Sequence, residues 1–266
     1  MTELIELKNV RKSYRQGKLF GKNSDVEILR GINLTVHGGQ CLGLLGESGC
    51  GKSTTARIAL GLERCCGEVL YKGRNISGMD KNALREYRRN AQVVFQNSHG
   101  AVNPRFRAWE IITEPLSYFE KLSKEELRSR AGGLLRRVGI PENALDKLPS
   151  QFSGGELQRI CIARALSLRP AFIVLDEAVS ALDMLNQSLV LELIAQLKRE
   201  TGASFLFISH DLRVLVKVCD CLAVMKAGLI TSRIENMETP EKDAHSFDAA
   251  FKALAAAILP QSPVGT

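Results

Sequence analysis

The run Gly46-Glu47-Ser48-Gly49-Cys50-Gly51-Lys52-Ser53 has the residue types and spacing of a phosphate cradle. Its glycines let the backbone wrap an anion with the amides turned inward. A helix beginning near Lys52 and running to about residue 62 adds its positive N-terminal end. In that arrangement Lys52 sets a point charge on the β- and γ-phosphates of a nucleotide, and Ser53 offers its hydroxyl to Mg2+. Thr54 follows in the same turn. Cys50 sits among these amides beside Lys52, and a positive neighbourhood favours a thiolate. The expectation is that alkylating Cys50 inactivates the protein and that nucleotide protects it; the equal alternative is an inert thiol pointing away.

A second pair of chemical groups ends the run Phe172-Ile173-Val174-Leu175-Asp176-Glu177. Ligands of α/β sheets gather at the carboxyl ends of strands. There Asp176 suits Mg2+ held through water, and Glu177 suits polarising an attacking water. By itself a strand ending in Asp-Glu is a weak signal and reads better as a solvated strand end. Beside a phosphate cradle in the same chain it reads as chemistry.

The elements that must carry these groups follow from apolar periodicity. Leu4 to Lys8 and Ile28 to Val36 alternate as strands. Cys41 to Leu45, Phe172 to Leu175, Phe205 to Ile208 and Leu222 to Met225 are short apolar runs of strand length. Glu68 to Tyr71 and Gln92 to Phe95 are further strands. Strands alternating with helical patterns argue for a parallel α/β core, here with an antiparallel β portion at the N-terminus. From 97 to 168 strand signals fade. Ser123-Lys124-Glu125-Glu126 is a capping box that opens a helix running to Arg137, with Gly139 and Pro141 stopping it. A second helix, about 184 to 200, carries Leu185, Leu189, Leu193 and Leu197 on one face, and Gly202 ends it. The division expected is one nucleotide-binding domain over 1–240, with a core of 1–96 and 169–240 and a helical subdomain at 97–168, followed by a short tail at 241–266.

Phe152-Ser153-Gly154-Gly155-Glu156-Leu157-Gln158-Arg159 resembles the signature sequence of the ABC-type ATPases. Further motifs stand in that family's order, and the resemblance covers about residues 3 to 235. It implies a P-loop NTPase fold binding ATP and Mg2+. Tyr14 takes the place of the aromatic that stacks on adenine. Gln96 takes that of the glutamine sensing metal and water, so that Ser53, Gln96 and Asp176 form the Mg2+ set. Ser180-Ala181-Leu182-Asp183 resembles the loop that touches the opposite subunit. His210 resembles the histidine at the γ-phosphate, and with Glu177 and Gln96 it makes up the catalytic group. The family pairs two ATPase subunits head to tail, so that Ser153, Gly154 and Gly155 meet the nucleotide of the partner. Glu156 departs from the family's usual glutamine. It is read as an outward side chain of small effect, although a carboxylate facing a phosphate would repel it. Ala178-Val179 replaces the common proline-threonine, a change of packing.

The segment from Phe95 to Arg105, with Asn103-Pro104-Arg105, resembles the oligopeptide, dipeptide and nickel importer branch. Ala101 to Arg105, Leu175 to Ser180 and Ala257-Ile258-Leu259-Pro260 resemble most the second ATP-binding subunits of nickel importers. That resemblance implies an ATPase energising import of nickel or a metal chelate, with peptides as the alternative cargo. It also implies a second ATPase subunit, different or identical, two membrane permease subunits and, indirectly, an extracytoplasmic binding protein. Val102, Phe106 and Trp109 read as contacts to a membrane subunit or, equally, as the small core of the helical segment. Soluble ABC ATPases acting on ribosomes or DNA carry fused cassettes or long coiled coils. This chain has one cassette and no sustained heptads.

Composition sets the frame. Hydrophobic residues at 45% and charged residues at 24% exclude a largely disordered chain. Lys and Arg total 36 against 29 Asp and Glu, a net charge of +7, which suits an anionic partner without choosing one. No apolar run approaches the roughly 18 to 20 residues that cross a bilayer. The acidic, alternating start lacks a secretory leader's pattern. A cytosolic chain acting peripherally at the inner membrane is expected. The 7 cysteines read as reduced thiols, without metal-site spacing. His37, His99, His210 and His245 are scattered, so no nickel site is sought here.

Overall fold

The computed structural model describes residues 2–16 and 24–238. The tail at 241–266, including His245 and Ala257 to Pro260, lies outside the described residues. Contacts divide the chain into two compact units, 1–81 with 204–266, and 82–203.

In the first unit β1 (Glu3–Gln16) pairs antiparallel with β2 (Ser24–His37) and with β4 (Cys66–Tyr71), and β5 (Arg74–Asn75) extends β4. Ile5 and Leu7 share one face of β1 and are buried, and Leu4 and Glu6 on the other face are buried as well. The register slips between Leu7 and Val10, around Asn9 with its positive φ of 49°. β3 (Cys41–Gly46) is apolar throughout because it is enclosed on both faces. It lies between β8 (Ser204–Ser209) and β9 (Cys221–Lys226), both parallel to it, and β10 (Leu229–Ile234) closes antiparallel on β9. The register sets Leu45 beside Ser209 and Gly46 beside Met225. The carboxyl ends of β3 and β8 are therefore level. α1 (Lys52–Ala59) follows β3 and stops before the expected residue 62, because Leu60 caps it and Gly61 turns left-handed at φ 65°. The short α7 (Leu212–Leu215) follows β8.

The second unit opens with α2, whose helix as a whole runs Lys81–Asn90. β6 (Ala91–Phe95) then lies parallel to β7 (Phe172–Asp176), with Phe95 opposite Asp176. Between them the chain is helical: α3 (Ala108–Phe119), α4 (Lys124–Arg137) and α5 (Gly154–Leu166). α4 has the expected bounds. Ser123 Oγ accepts from the Glu126 amide at 3.2 Å, and Glu126 accepts from the Ser123 amide at 2.7 Å. Val102 and Trp109 are buried in this unit, so those two side chains belong to its core; Phe106 is half-buried. α6 (Met184–Thr201) buries Leu193, Ile194 and Leu197, but the start of its leucine stripe is open, with Leu185 72% exposed. Among the described residues no helix is long and apolar enough to cross a membrane.

Candidate nucleotide site

The phosphate loop is built as its residue types require. Gly46 ends β3, the turn from Glu47 through Ser48 to Gly49 is exposed, and Gly51 at φ 113° turns the chain into α1. A side chain at Gly51 would meet Leu29 Cδ2 at 2.7 Å, so conformation and space both require glycine there. Lys52 is only 5% exposed, and its ammonium donates to the carbonyls of Gly46 at 2.7 Å and Glu47 at 2.9 Å. The cation is thereby held over the loop. α1 has no side-chain cap at its N-terminus and no acidic residue in its first turn. By contrast, α4, α5 and α6 are each capped by their own Ser123, Ser153 and Asp183. A helix N-terminus left uncapped beside a held lysine fits a phosphate. Ser53 and the buried Thr54 occupy its first turn.

Cys50 departs from the expectation. It is 8% exposed, and its sulfur lies 2.7 Å from where a Cβ on Gly46 would stand, tucked behind the loop. Burial pushes its thiol up, outweighing the charge of Lys52. Burial and the raised thiol argue against a reactive thiolate at Cys50. Its amide nitrogen stays in the loop, 3.4 Å from the Glu47 carbonyl.

Tyr14 lies on β1 and is 37% exposed, as a stacking platform needs. Its hydroxyl donates to Glu63, which also faces Arg57 on α1 at 3.3 Å and Lys12 at 3.4 Å. Lys12 Nζ stands 5.1 Å from the ring centroid. Burial would raise the Glu63 carboxyl, yet the bonds from Tyr14 and Lys12 and the charge of Arg57 bring it below its ordinary value. Glu63 thus ties the aromatic to the phosphate-loop helix. Nothing in the sequence pattern singles it out, because its partner is 49 residues away. His210 follows β8 and is exposed, level with the start of the phosphate loop. Asp211 beside it caps α7, and Arg213 holds its carboxyl below the usual range.

The second unit collects the other candidates. Gln96 follows β6 and Glu177 follows β7, and the Phe95–Asp176 register places both at one level. Gln96 Nε2 donates to Ser180 Oγ at 3.0 Å, and that hydroxyl donates to the Glu177 carbonyl at 3.0 Å. Glu177 has a φ of 49°, a strained value for a residue with a Cβ. Gln158 of α5 donates to the Phe95 carbonyl at 3.2 Å, joining the signature helix to the strand that ends in Gln96.

The signature opens α5. Ser153 Oγ accepts from the Glu156 amide at 3.2 Å, and Glu156 accepts from the Ser153 amide at 2.8 Å. The bond from the Ser153 amide, against burial, holds the Glu156 carboxyl below its usual range. Glu156 completes a capping box with the serine that opens the signature. Gly154 and Gly155 form the first turn, and a Cβ on Gly154 would come within 4.0 Å of Leu182, next to Asp183. Tyr14, Gly46 to Thr54 and His210 thus belong to the first unit. Gln96, Asp176, Glu177, Ser153 to Gly155 and Asp183 belong to the second. Among the described residues no cluster of His, Cys, Asp and Glu could hold a metal ion by itself.

Comparison with known proteins agrees with these motifs. The family model described as ABC transporter matches residues 29–180. The nickel import ATP-binding protein of Rhodospirillum rubrum is 42% identical over 99% of this chain and 94% of its own length. Those of Brucella suis and Escherichia coli K12 are 41% and 39% identical, each over 98% of this chain. A dimeric post-hydrolysis structure of the ATP-binding cassette MJ0796, bound to ADP and Pi, superposes with a TM-score of 0.77 at 30% identity, covering 86% of this chain and 97% of that one. The cbiO1 protein of Clostridium perfringens, at 22% identity and a TM-score of 0.75, shares the fold. The chain belongs to the ATP-binding subunits of the ABC transporter family.

Proposed function

We propose that this chain hydrolyses ATP to drive an importer whose cargo is nickel ion or a nickel chelate. The observation that carries the ATPase part is the uncapped N-terminus of α1 with Lys52 held over the loop. The nickel part is supported by relatives about 40% identical along nearly the whole chain, each named a nickel import ATP-binding protein. Peptide import is the second reading, favoured by the Asn103-Pro104-Arg105 segment that both cargo classes share.

In this reading Tyr14 stacks on the adenine, and Lys52 with the amides of Gly46 to Thr54 holds the phosphates. Glu177 orients and polarises the attacking water, Gln96 and His210 position it and the γ-phosphate, and the reaction is in-line displacement. Ser53, Gln96 and Asp176 would hold Mg2+, which would supply charge neutralisation at the phosphates. Catalysis is then mainly positioning and charge stabilisation. Ser153, Gly154 and Gly155 present the start of α5 to the nucleotide of a second ATPase subunit, and Asp183 touches that subunit. We take the second subunit to be a different chain, with permease subunits anchoring the pair at the inner face of the membrane.

Tracer nickel uptake in cells lacking this chain tests the proposal. Uptake is expected to fall and to return with the wild type but not with Lys52→Ala. Unchanged uptake overturns the nickel assignment and makes peptide uptake the next measurement.

A further inference from the structure

The segment Leu182 to Asn186 packs on the first turn of α5, and one side chain makes both contacts. Asp183 caps α6, and both of its carboxylate oxygens are taken by the same residue. Oδ1 accepts from the Asn186 amide at 2.9 Å, and Oδ2 accepts from the Asn186 side-chain nitrogen at 2.6 Å. The carbonyl side of that amide group lies against Gly155. A Cβ on Gly155 would stand 2.5 Å from Asn186 Oδ1, 2.7 Å from Cγ and 3.0 Å from Cβ. Gly155 therefore leaves a notch in the signature turn, and Asn186 fills it. An ordinary helix cap needs only the backbone bond to Asp183. The second, side-chain bond and the notch are additional, and they hold two loops together that are about 30 residues apart in sequence.

We infer that Asn186 is a positioning residue that locks the Asp183 carboxylate to the signature turn, so that the two loops engage a partner subunit as one rigid piece. The inference deepens the ATPase reading above and rests on it. Asn186 acts through Asp183 and Gly155. Its contribution belongs to the paired, hydrolysing state rather than to nucleotide capture, because Tyr14 and the phosphate loop lie in the other unit. The bonds from Asn186 also hold the Asp183 carboxyl below its ordinary value, so it stays charged at neutral pH.

The test is steady-state ATPase on the complex purified from membranes through a tag on this chain. Asn186→Leu keeps the branched shape and removes the donor. It is expected to lower kcat about tenfold, the scale of one lost charge-assisted hydrogen bond, with KM for ATP within about twofold of wild type. Asn186→Asp, also without a donor, is expected to do the same. A kcat unchanged in both variants, or a KM rising in step with the loss, overturns the inference. Lys52→Ala runs alongside. If it is inactive while the Asn186 variants turn over normally, only this inference fails; if it is active, the ATPase reading fails and takes this one with it. Should neither Asn186 variant fold, hydrogen exchange on the wild-type complex decides. Protection at 153–157 and 183–187 should rise together on adding Mg-ATP, and separate responses overturn the coupling.

Discussion

Charge and burial pull the Cys50 thiol in opposite directions. Lys52 is its sequence neighbour but one, and a cation lowers a thiol. The folded loop turns the sulfur behind its own backbone, and the loss of hydration outweighs the cation. A sulfhydryl raised in this way is mostly protonated at neutral pH, and the protonated form is a poor nucleophile. Iodoacetamide should therefore label the exposed Cys66 at least about tenfold faster than Cys50, and limited labelling at pH 7 should leave ATPase activity intact. Peptide mapping against time checks both. Rapid loss of activity tracking Cys50 labelling, with protection by ATP, would restore the reactive-thiol reading. The same limit applies to Glu63 and Asn186. Lys52, Ser153 and Glu177 are legible in sequence because their chemistry demands a residue type at a fixed spacing. Glu63 is not, because its role comes from Tyr14, which only the fold brings to it.

Helix starts and the ends of paired strands do the positioning at the scale of elements. Parallel β6 and β7 end at one level, so Gln96 and Glu177 emerge side by side without any contact between their own side chains being needed. Ser180 then joins them, accepting from Gln96 and donating to the Glu177 carbonyl. Ser180→Ala removes that link while leaving strand and helix intact. It should lower kcat about twofold to tenfold with nucleotide affinity unchanged, in line with one neutral hydrogen bond. Fluorescent-nucleotide titration beside turnover measures the split, and a fall in affinity equal to that in turnover would mean that the loop had merely unfolded. Much at this scale was legible. Buried strands advertise themselves as short apolar runs, and Ser123 with Glu126 fixed the start of α4 to the residue. Among what escaped were β10, whose exposed and buried positions carry no long apolar run, the bounds of α3 and α5, and the open start of α6. Leu185 and Leu189 continue a helical stripe in sequence, but burial begins only at Val190. Periodicity shows which residues share a face, while only packing shows where that face is covered.

Across the whole molecule, the basic excess separates the remaining classes of function. A nucleic-acid-binding ATPase needs cations gathered on one face and left for phosphates. Here many of the arginines are already engaged within the chain. Arg89 and Arg130 share Glu120, Arg107 and Arg128 share Asp146, and Arg137 faces Glu200. Arg85 lies over the rings of Tyr118 and Phe119 at 5.5 and 5.0 Å. Those cations are spread over separate pairs and aromatic contacts. The formal +7 therefore describes composition better than it describes a binding face. The paired charges are exposed enough that each stabilises the fold only slightly, but each pairing lowers the net field that a polyanion would meet. The chain purified from membranes through an affinity tag, at about 0.15 M salt where surface attraction acts over about 8 Å, should bring down permease subunits and a second ATPase. Its absorbance ratio should be that of protein without nucleic acid. Retention of ribosomes or DNA at that salt, with no membrane protein in the eluate, would reverse the assignment to transport.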